Sequence, residues 1–187
     1  MRKIVAAINV TLDGFCDHTA GIADDETHQN YTNLLLNSGT MLFGRITYEL
    51  MESYWPTVVA KPTGIPSMDN FAAAIDNIPK IVFSRTMKNI GWKTATLAKG
   101  GIKEEVLELR QRPGKDILIA SRSLIVALLN LNLIDELQLC VHPVILRNGL
   151  TPLLENISDK IDMKLLRTKA FRCGAIVLYY EPIRKGQ

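Results

Sequence analysis

The chain has 187 residues, 47% of them apolar and 22% charged, which is the composition of an ordinary globule able to bury a sizeable core in one domain over residues 1–187. A formal net charge of +3, with no basic run and no interleaving of Arg or Lys with aromatics, argues against nucleic acid as a partner. The chain has no apolar stretch of about 18 residues, and Asn9 and Asp13 interrupt the apolar start too soon for a leader, so no membrane is expected and the compartment implied by the three scattered cysteines, Cys16, Cys140 and Cys173, is a reducing cytoplasm.

Ile4 to Val10 is β-rich and apolar and predicts a central strand, followed by a turn at Thr11-Leu12-Asp13-Gly14. Asp24, Asp25 and Glu26 open a helix that carries Tyr31, Leu34 and Leu35 at helical spacing and stops at Ser38-Gly39. Met41 to Phe43 reads as a strand, Arg45 to about Ser53 as a helix, and the proline-rich stretch from Pro56 to Pro66 as a loop. Ser67 is a candidate cap for a helix with Phe71, Ala74 and Ile75 on one face, ended by Pro79. Lys80 to Ser84 predicts a strand and Thr94 to Leu97 a short one. Ile102, Val106 and Leu109 mark a helix before Pro113-Gly114, and Asp116 to Ala120 a further strand. Leu124, Ile125, Leu128 and Leu129 form the next helical stripe, and Glu136 to Val141 the next strand, ended near Pro143. Lys164 to Phe171 and Ala175 to Glu181 read as a hairpin joined through Arg172-Cys173-Gly174. Strands alternating with helices predict an α/β fold: a mostly parallel sheet covered on both faces, with an antiparallel addition at the end.

Three strand-to-helix or strand-to-turn junctions carry similar chemistry. Gly44-Arg45-Ile46-Thr47 places a glycine where backbone can approach a ligand, at a helix start suited to a phosphate. It is equally the form of an ordinary strand–helix turn with a surface arginine. Ser84-Arg85-Thr86 puts a hydroxyl and a guanidinium, the side chain best matched to phosphate, at the end of another strand. The alternative there is a polar turn. Ala120-Ser121-Arg122-Ser123 again joins strand to helix, and its hydroxyls could cap the helix or face a pyrophosphate. Neither a Walker loop nor a GxGxxG fingerprint is present. Asp13, in the turn after the first strand, is the acid best placed to meet a ligand and hand it a proton; the alternative is a plain turn aspartate. Trp55 could stack on a planar ligand or close the edge of the core. His18 and His28, ten apart in a polar region, lack metal-ligand spacing, His142 before Pro143 at a strand end reads as structural, and no serine or cysteine shows a nucleophile motif.

In order and spacing these pieces resemble the dihydrofolate-reductase-like superfamily, and within it the branch of the riboflavin-biosynthesis reductase (RibD C-terminal) domain and its stand-alone bacterial relatives. The resemblance rests on Thr11-Leu12-Asp13-Gly14-Phe15, Leu42-Phe43-Gly44-Arg45-Ile46-Thr47-Tyr48-Glu49, Ile81-Val82-Phe83-Ser84-Arg85-Thr86, Ile117-Leu118-Ile119-Ala120-Ser121, Leu133-Ile134-Asp135-Glu136-Leu137 and His142-Pro143-Val144-Ile145-Leu146. It implies a three-layer α/β/α fold with a mixed, mostly parallel central sheet. It also implies NADPH as cofactor and hydride transfer to a small heterocyclic or sugar-phosphate substrate, as in a 5-amino-6-(5-phosphoribosylamino)uracil reductase. Carried over, Gly44, Arg45 and Thr47 would hold cofactor phosphates, Ser84 and Arg85 would lie near the adenosine 2′-phosphate, Ser121 would lie beside the pyrophosphate, and Asp13 would lie near nicotinamide and substrate.

Two departures stand out. Relatives often carry a glycine-rich turn where this chain has Ala120-Ser121-Arg122, so the side chain at Arg122 could crowd the pyrophosphate or bind it. Relatives often carry a glycine run where this chain has Arg147-Asn148-Gly149. The first departure motivates a second reading, a non-catalytic nucleotide- or ligand-binding protein on the same fold. The apolar C-terminal region suits a homodimer.

Overall fold

The computed structural model describes residues 1–21, 24–146 and 152–184. Among these, β1 (Ile4–Thr11), α1 (Asp25–Leu36), β2 (Ser38–Gly44), α2 (Arg45–Ala60), α3 (Pro66–Asn77), β3 (Lys80–Phe83) and β4 (Ala95–Leu97) make the first half. Then come α4 (Ile102–Gln111), β5 (Asp116–Ile119), α5 (Arg122–Asn130), β6 (Glu136–His142), β7 (Met163–Ala170) and β8 (Ile176–Pro182). The strands form one sheet in the order β4-β3-β2-β5-β1-β6-β8-β7. All neighbours from β4 to β6 are parallel; β8 joins β6 antiparallel, and β7 joins β8 antiparallel. This is the mixed α/β sheet that the sequence predicts. The pair Arg147-Asn148 with Gly149 lies outside the described residues.

The alternation of side chains along a strand divides the core in two. Ile4 and Ala6 of β1, Leu42 of β2, Ile117 and Ile119 of β5 and Leu137 of β6 face α4 and α5, where Val106, Leu109, Leu124, Ile125, Leu128 and Leu129 cover them. Val5, Ala7, Met41, Phe43, Val82 and Leu118 face the other way, under Leu35 of α1, Tyr48 of α2 and Ala74 and Ile75 of α3. Both faces being covered is why these strands read as continuous apolar runs rather than alternating ones. Each fully buried side chain, Phe43 or Leu128 for example, contributes about 1.5–3 kcal/mol by leaving water.

Local chemistry sets the helix ends. Asp24 caps α1, accepting from the Thr27 backbone N–H at 2.8 Å, and Asp25 and Glu26 complement the positive end of the helix. Two sequence expectations are corrected. α2 runs through Pro56 to Ala60 instead of ending near Ser53. Pro56 forfeits one helical bond, but the turns around it bury Val58 and seat Trp55 against Phe71 at 4.5 Å. α3 starts at Pro66, in the first turn where proline is tolerated, and Ser67 does not cap it; its hydroxyl bonds the Asp25 carboxylate instead.

Asp135 of the Leu133–Leu137 motif is structural. It accepts from the Ile4 backbone N–H at 2.9 Å and from Arg110 and Arg184 at 2.8 and 2.7 Å, which anchors the start of β1. The tail hairpin turns at Gly174, whose φ of +87° favours glycine. β7 forms the sheet edge, and every residue in it after Met163 is exposed.

Lys80 is 1% exposed, and its ammonium donates to the carbonyls of Asp76 and Ile78 and to Thr94 Oγ1, with the Trp92 ring 4.1 Å away. Burial pushes its pKa down to about 8. The unfolded chain keeps that proton to about pH 10.4, so between those values the folded state binds fewer protons and this group's contribution to stability increases with pH. In urea unfolding, the free-energy difference between wild type and Lys80→Met is expected to shift in favour of wild type from about pH 8 to about pH 10; a flat difference would show that Lys80 folds with its ordinary affinity for a proton.

Candidate active site

The carboxyl edge of the sheet contains a notch. β5 pairs with β1 only from Ile4↔Ile117 to Ala6↔Ile119, then turns at Ala120-Ser121 into α5. β1 continues to Thr11, paired through His142 with β6 on its other side. From Ala7 onward the edge of β1 that faces β5 has no strand partner among the described residues. At Thr11 the loop supplies partners, the Phe15 carbonyl for its N–H and the Gly14 N–H for its carbonyl, so the backbone groups that open onto a gap are those around Asn9. The helices following β1 and β2 pack on one face and the helix following β5 packs on the other. The notch is thus a switch point, where open α/β sheets form a crevice.

One wall of the notch is closed by a single buried hydrogen bond. The Gly44 backbone N–H donates to Ser121 Oγ at 2.8 Å, joining the end of β2 to the end of β5. Ser121 is 1% exposed. Gly44 has an ordinary φ of −81°, so it is small for reasons of space: a Cβ there would lie 3.1 Å from Ser123 Oγ and 3.7 Å from Ser121 Cβ. Gly44 and Ser121 are also the N-cap residues of α2 and α5, and neither supplies a side-chain cap bond. The first N–H groups of two helices, which a helix cannot satisfy itself, start from this one contact. That geometry attracts an anion.

The other residues singled out in the sequence take distinct places. Thr47 lies half-buried in the first turn of α2. Arg45 is exposed and pairs with Glu49 one turn along, at 2.8 Å. Ser84 Oγ accepts from the backbone N–H groups of Thr86 and Met87 at 3.2 and 2.9 Å, forming a turn that leaves Arg85 exposed at the end of β3, the neighbour of β2. Arg122 reaches away from the helix start: its Nε donates to the Pro152 carbonyl at 2.6 Å and its Nη2 pairs with Glu155 at 3.0 Å. Trp55 stands apart from these strand ends. It packs edge-on against Phe71 and against His28, 6.4 Å between ring centres, which closes the helical layer.

The Thr11–Phe15 loop is stitched on several sides. Thr11 N–H donates to the Phe15 carbonyl at 3.0 Å, and Gly14, with φ +82°, receives the Leu153 N–H at 2.9 Å. Asp13 Oδ1 accepts from Thr11 Oγ1 at 2.6 Å, and Oδ2 accepts from the Leu146 N–H at 3.1 Å. The carboxylate therefore ties the loop after β1 to the segment after β6. Behind it, burial lowers the pKa of His142, so this side chain, 2% exposed beside Cys140 Sγ at 3.6 Å, is neutral at neutral pH. Among the described residues no group of three or more His, Cys, Asp or Glu could hold a metal, and no helix is long and apolar enough to cross a membrane. Asn9 and Tyr31, which the sequence marks only as a break in an apolar run and as one member of a helical stripe, bring their side chains together at 2.5 Å beside the notch. The signal for Asn9 was an amide inside an otherwise apolar central strand.

Comparison with known proteins matches residues 2–177 to the model of the RibD C-terminal domain. The uncharacterised protein YyaP of Bacillus subtilis (strain 168) is 33% identical over 183 residues, 96% of this chain and 94% of that one. A protein of Shewanella sp. PV-4 described under riboflavin biosynthesis superposes with a TM-score of 0.73 at 20% identity, covering 98% of this chain and all of that one (100%). A pyrimidine reductase-like protein of Corynebacterium diphtheriae gives 0.64 at 14% identity, covering 98% and 93%. The Thermotoga maritima diaminohydroxyphosphoribosylaminopyrimidine deaminase/5-amino-6-(5-phosphoribosylamino)uracil reductase gives 0.66 at 16%, covering 97% of this chain and 57% of that one. At these identities the structural likeness concerns the fold.

The Gly44–Ser121 bond sets a stability test. Ser121→Ala leaves a buried N–H without its acceptor and is expected to cost about 1–3 kcal/mol in urea unfolding. Ser123→Ala, at an exposed position, is expected to stay within about 0.5 kcal/mol of wild type. Equal losses would show that the bond at Gly44 is not what holds this wall.

Proposed function

Because the chain belongs to the RibD C-terminal domain family, we propose that it is an NADPH-dependent reductase acting on a small heterocyclic or sugar-phosphate substrate. The observation that carries this reading is the notch between β5 and β1, flanked by two helix starts that meet at Gly44 and Ser121. An amide-bearing ring fits an open strand edge, because it can complete the ladder that β5 leaves unmade. A pyrophosphate fits the paired helix starts. When bound, NADPH supplies the hydride, and the protein supplies binding, orientation and electrostatics.

In this reading the N–H groups after Gly44 and Ser121 and the Thr47 hydroxyl hold the phosphates. Ser84 and Arg85 receive the 2′-phosphate, since Arg85 stands exposed at the neighbouring strand end. Arg45 joins them by exchanging Glu49 for phosphate. An exposed ion pair of this kind is worth at most about 1 kcal/mol, and a phosphate offers a stronger forked contact. Asp13 orders the loop over the ring through Thr11 and Leu146 and, with a water, delivers the proton that accompanies the hydride. The compartment we assign is the cytoplasm, consistent with three free cysteines. Leu165, Leu166, Ile176 and Ile183 are exposed apolar side chains of the C-terminal hairpin region that a homodimer would draw on.

One observation favours a second reading, a ligand-binding protein without turnover. Arg122, where a glycine would leave the helix start open, is already engaged by Pro152 and Glu155. NADPH binding that never leads to NADPH consumption with any heterocyclic substrate would favour that alternative.

Titration of the tryptophan fluorescence with NADPH and NADH tests the cofactor. Tight NADPH binding with a preference over NADH is expected, and no binding at millimolar NADPH would end the reductase reading. Arg85→Ala is expected to weaken NADPH by about tenfold while leaving NADH within about twofold. Asp13→Asn is expected to slow NADPH oxidation by about a hundredfold, with 5-amino-6-(5-phosphoribosylamino)uracil as trial substrate, and to leave NADPH affinity unchanged.

A further inference from the structure

β1 is a central strand, and each of its residues is buried or half-buried except one. Asn9 is exposed. Two and four positions earlier on the same face, Ala7 and Val5 are 3% and 5% exposed beneath the helical layer, and two positions later Thr11 is 3% exposed. The layer over β1 therefore has an opening at Asn9, next to the strand edge that β5 leaves unpaired. An exposed amide at this opening has donors that a ligand can take over from water.

Tyr31 of α1 donates its hydroxyl to Asn9 Oδ1 at 2.5 Å. Burial holds the Tyr31 phenol well above its usual pKa, so it is a donor at any working pH. That bond fixes which way the amide points: the oxygen is turned to Tyr31, and the NH2 group is the end left to the opening. One turn earlier on α1, His28 contacts Trp55 and Phe71 with ring centres 6.4 and 6.0 Å apart. Burial lowers the His28 pKa, so this aromatic cluster is uncharged at neutral pH.

We propose that Asn9 is a specificity-determining residue of the substrate subsite, its NH2 group selecting a planar ring that presents a hydrogen-bond acceptor such as a carbonyl. The placement of substrate here rests on the reductase reading, in which the reacting ring lies in the adjoining notch. Asn9 then discriminates by what a mismatched ring leaves unpaired: a ring with an amino group at that edge would set donor against donor.

The test uses two pyrimidines, 5,6-diaminouracil with carbonyls at C2 and C4 and 2,4,5,6-tetraaminopyrimidine, in which amino groups replace those carbonyls and the lactam N–H groups give way to unprotonated ring nitrogens. Calorimetric titration of wild type, with and without NADPH, is expected to favour the uracil by about tenfold. Asn9→Asp retains an acceptor for Tyr31 and replaces the inward donor by an acceptor, so the preference is expected to reverse. Tyr31→Phe frees the amide to rotate, so the preference is expected to collapse towards unity. Unfolding curves confirm that each variant is folded. Asn9 is only an anchor for Tyr31, and the proposal is overturned, if both rings bind wild type and Asn9→Asp alike; it is also overturned if wild type binds neither ring. NADPH affinity is read separately from fluorescence. Its absence would remove the reductase reading while the titrations without cofactor still decide the role of Asn9.

Discussion

β5 is too short for its neighbour. It stops opposite Ala6 while β1 runs on to Thr11, and most of what the carboxyl edge can do follows from that mismatch. A partner strand of full length would satisfy the β1 backbone and leave nothing to bind. Ending β5 at Ile119 turns the chain into α5 early, places Ser121 beside Gly44, and brings the starts of α2 and α5 to one spot. The same termination leaves the backbone edge at Asn9 without a strand partner among the described residues. Stability is concentrated at the other end of the strand, where Asp135 takes the Ile4 N–H and pairs with Arg110 and Arg184, so an incomplete ladder at one end sits on a well-anchored start.

Charge in the site is held in reserve. Arg45 and Arg122 each have a carboxylate partner within the chain, Glu49 and Glu155, whereas Arg85 stands exposed. The two pairs differ in what separating them would disturb. Glu49 lies one turn away on the same helix, so Arg45 can change partner without moving backbone. Arg122 instead holds the Pro152 carbonyl and Glu155, a segment that also touches Gly14 and Phe15. Moving Arg122 would therefore loosen the loop over the notch, and the helix start and the loop are mechanically linked.

The layered fold was legible because hydrophobic runs and turn residues marked nearly every element, and the parallel core follows from strands alternating with helices. Pro56 misled because a proline is read locally, whereas the packing of Trp55 and Val58 carries the helix across it. Ser67 misled in the same way, since Pro66 already starts the helix and the hydroxyl serves Asp25. Gly44 and Ser121 were each visible as junctions, but their hydrogen bond depends on strand order, which places β2 beside β5 across 77 residues of sequence. Trp55 could be weighed only in space, where Phe71 and His28 claim it. Asn9 carries no signal of its own because a single polar residue in an apolar strand has no period; its exposure arises where the helical layer over β1 leaves an opening, a property of other segments.

The C-terminal hairpin also bears on solubility. Among the described residues β7 leaves an unpaired row of backbone groups along the rim of the sheet, the kind of template on which another strand can be laid. Lys164, Arg167 and Lys169 line that rim, and its register slips between Leu165 and Arg167, which twists the edge. A second β7 approaching edge to edge would meet like charge on a warped strand. The hairpin can thus offer apolar side chains from its face while resisting the open-ended strand addition that leads to fibres.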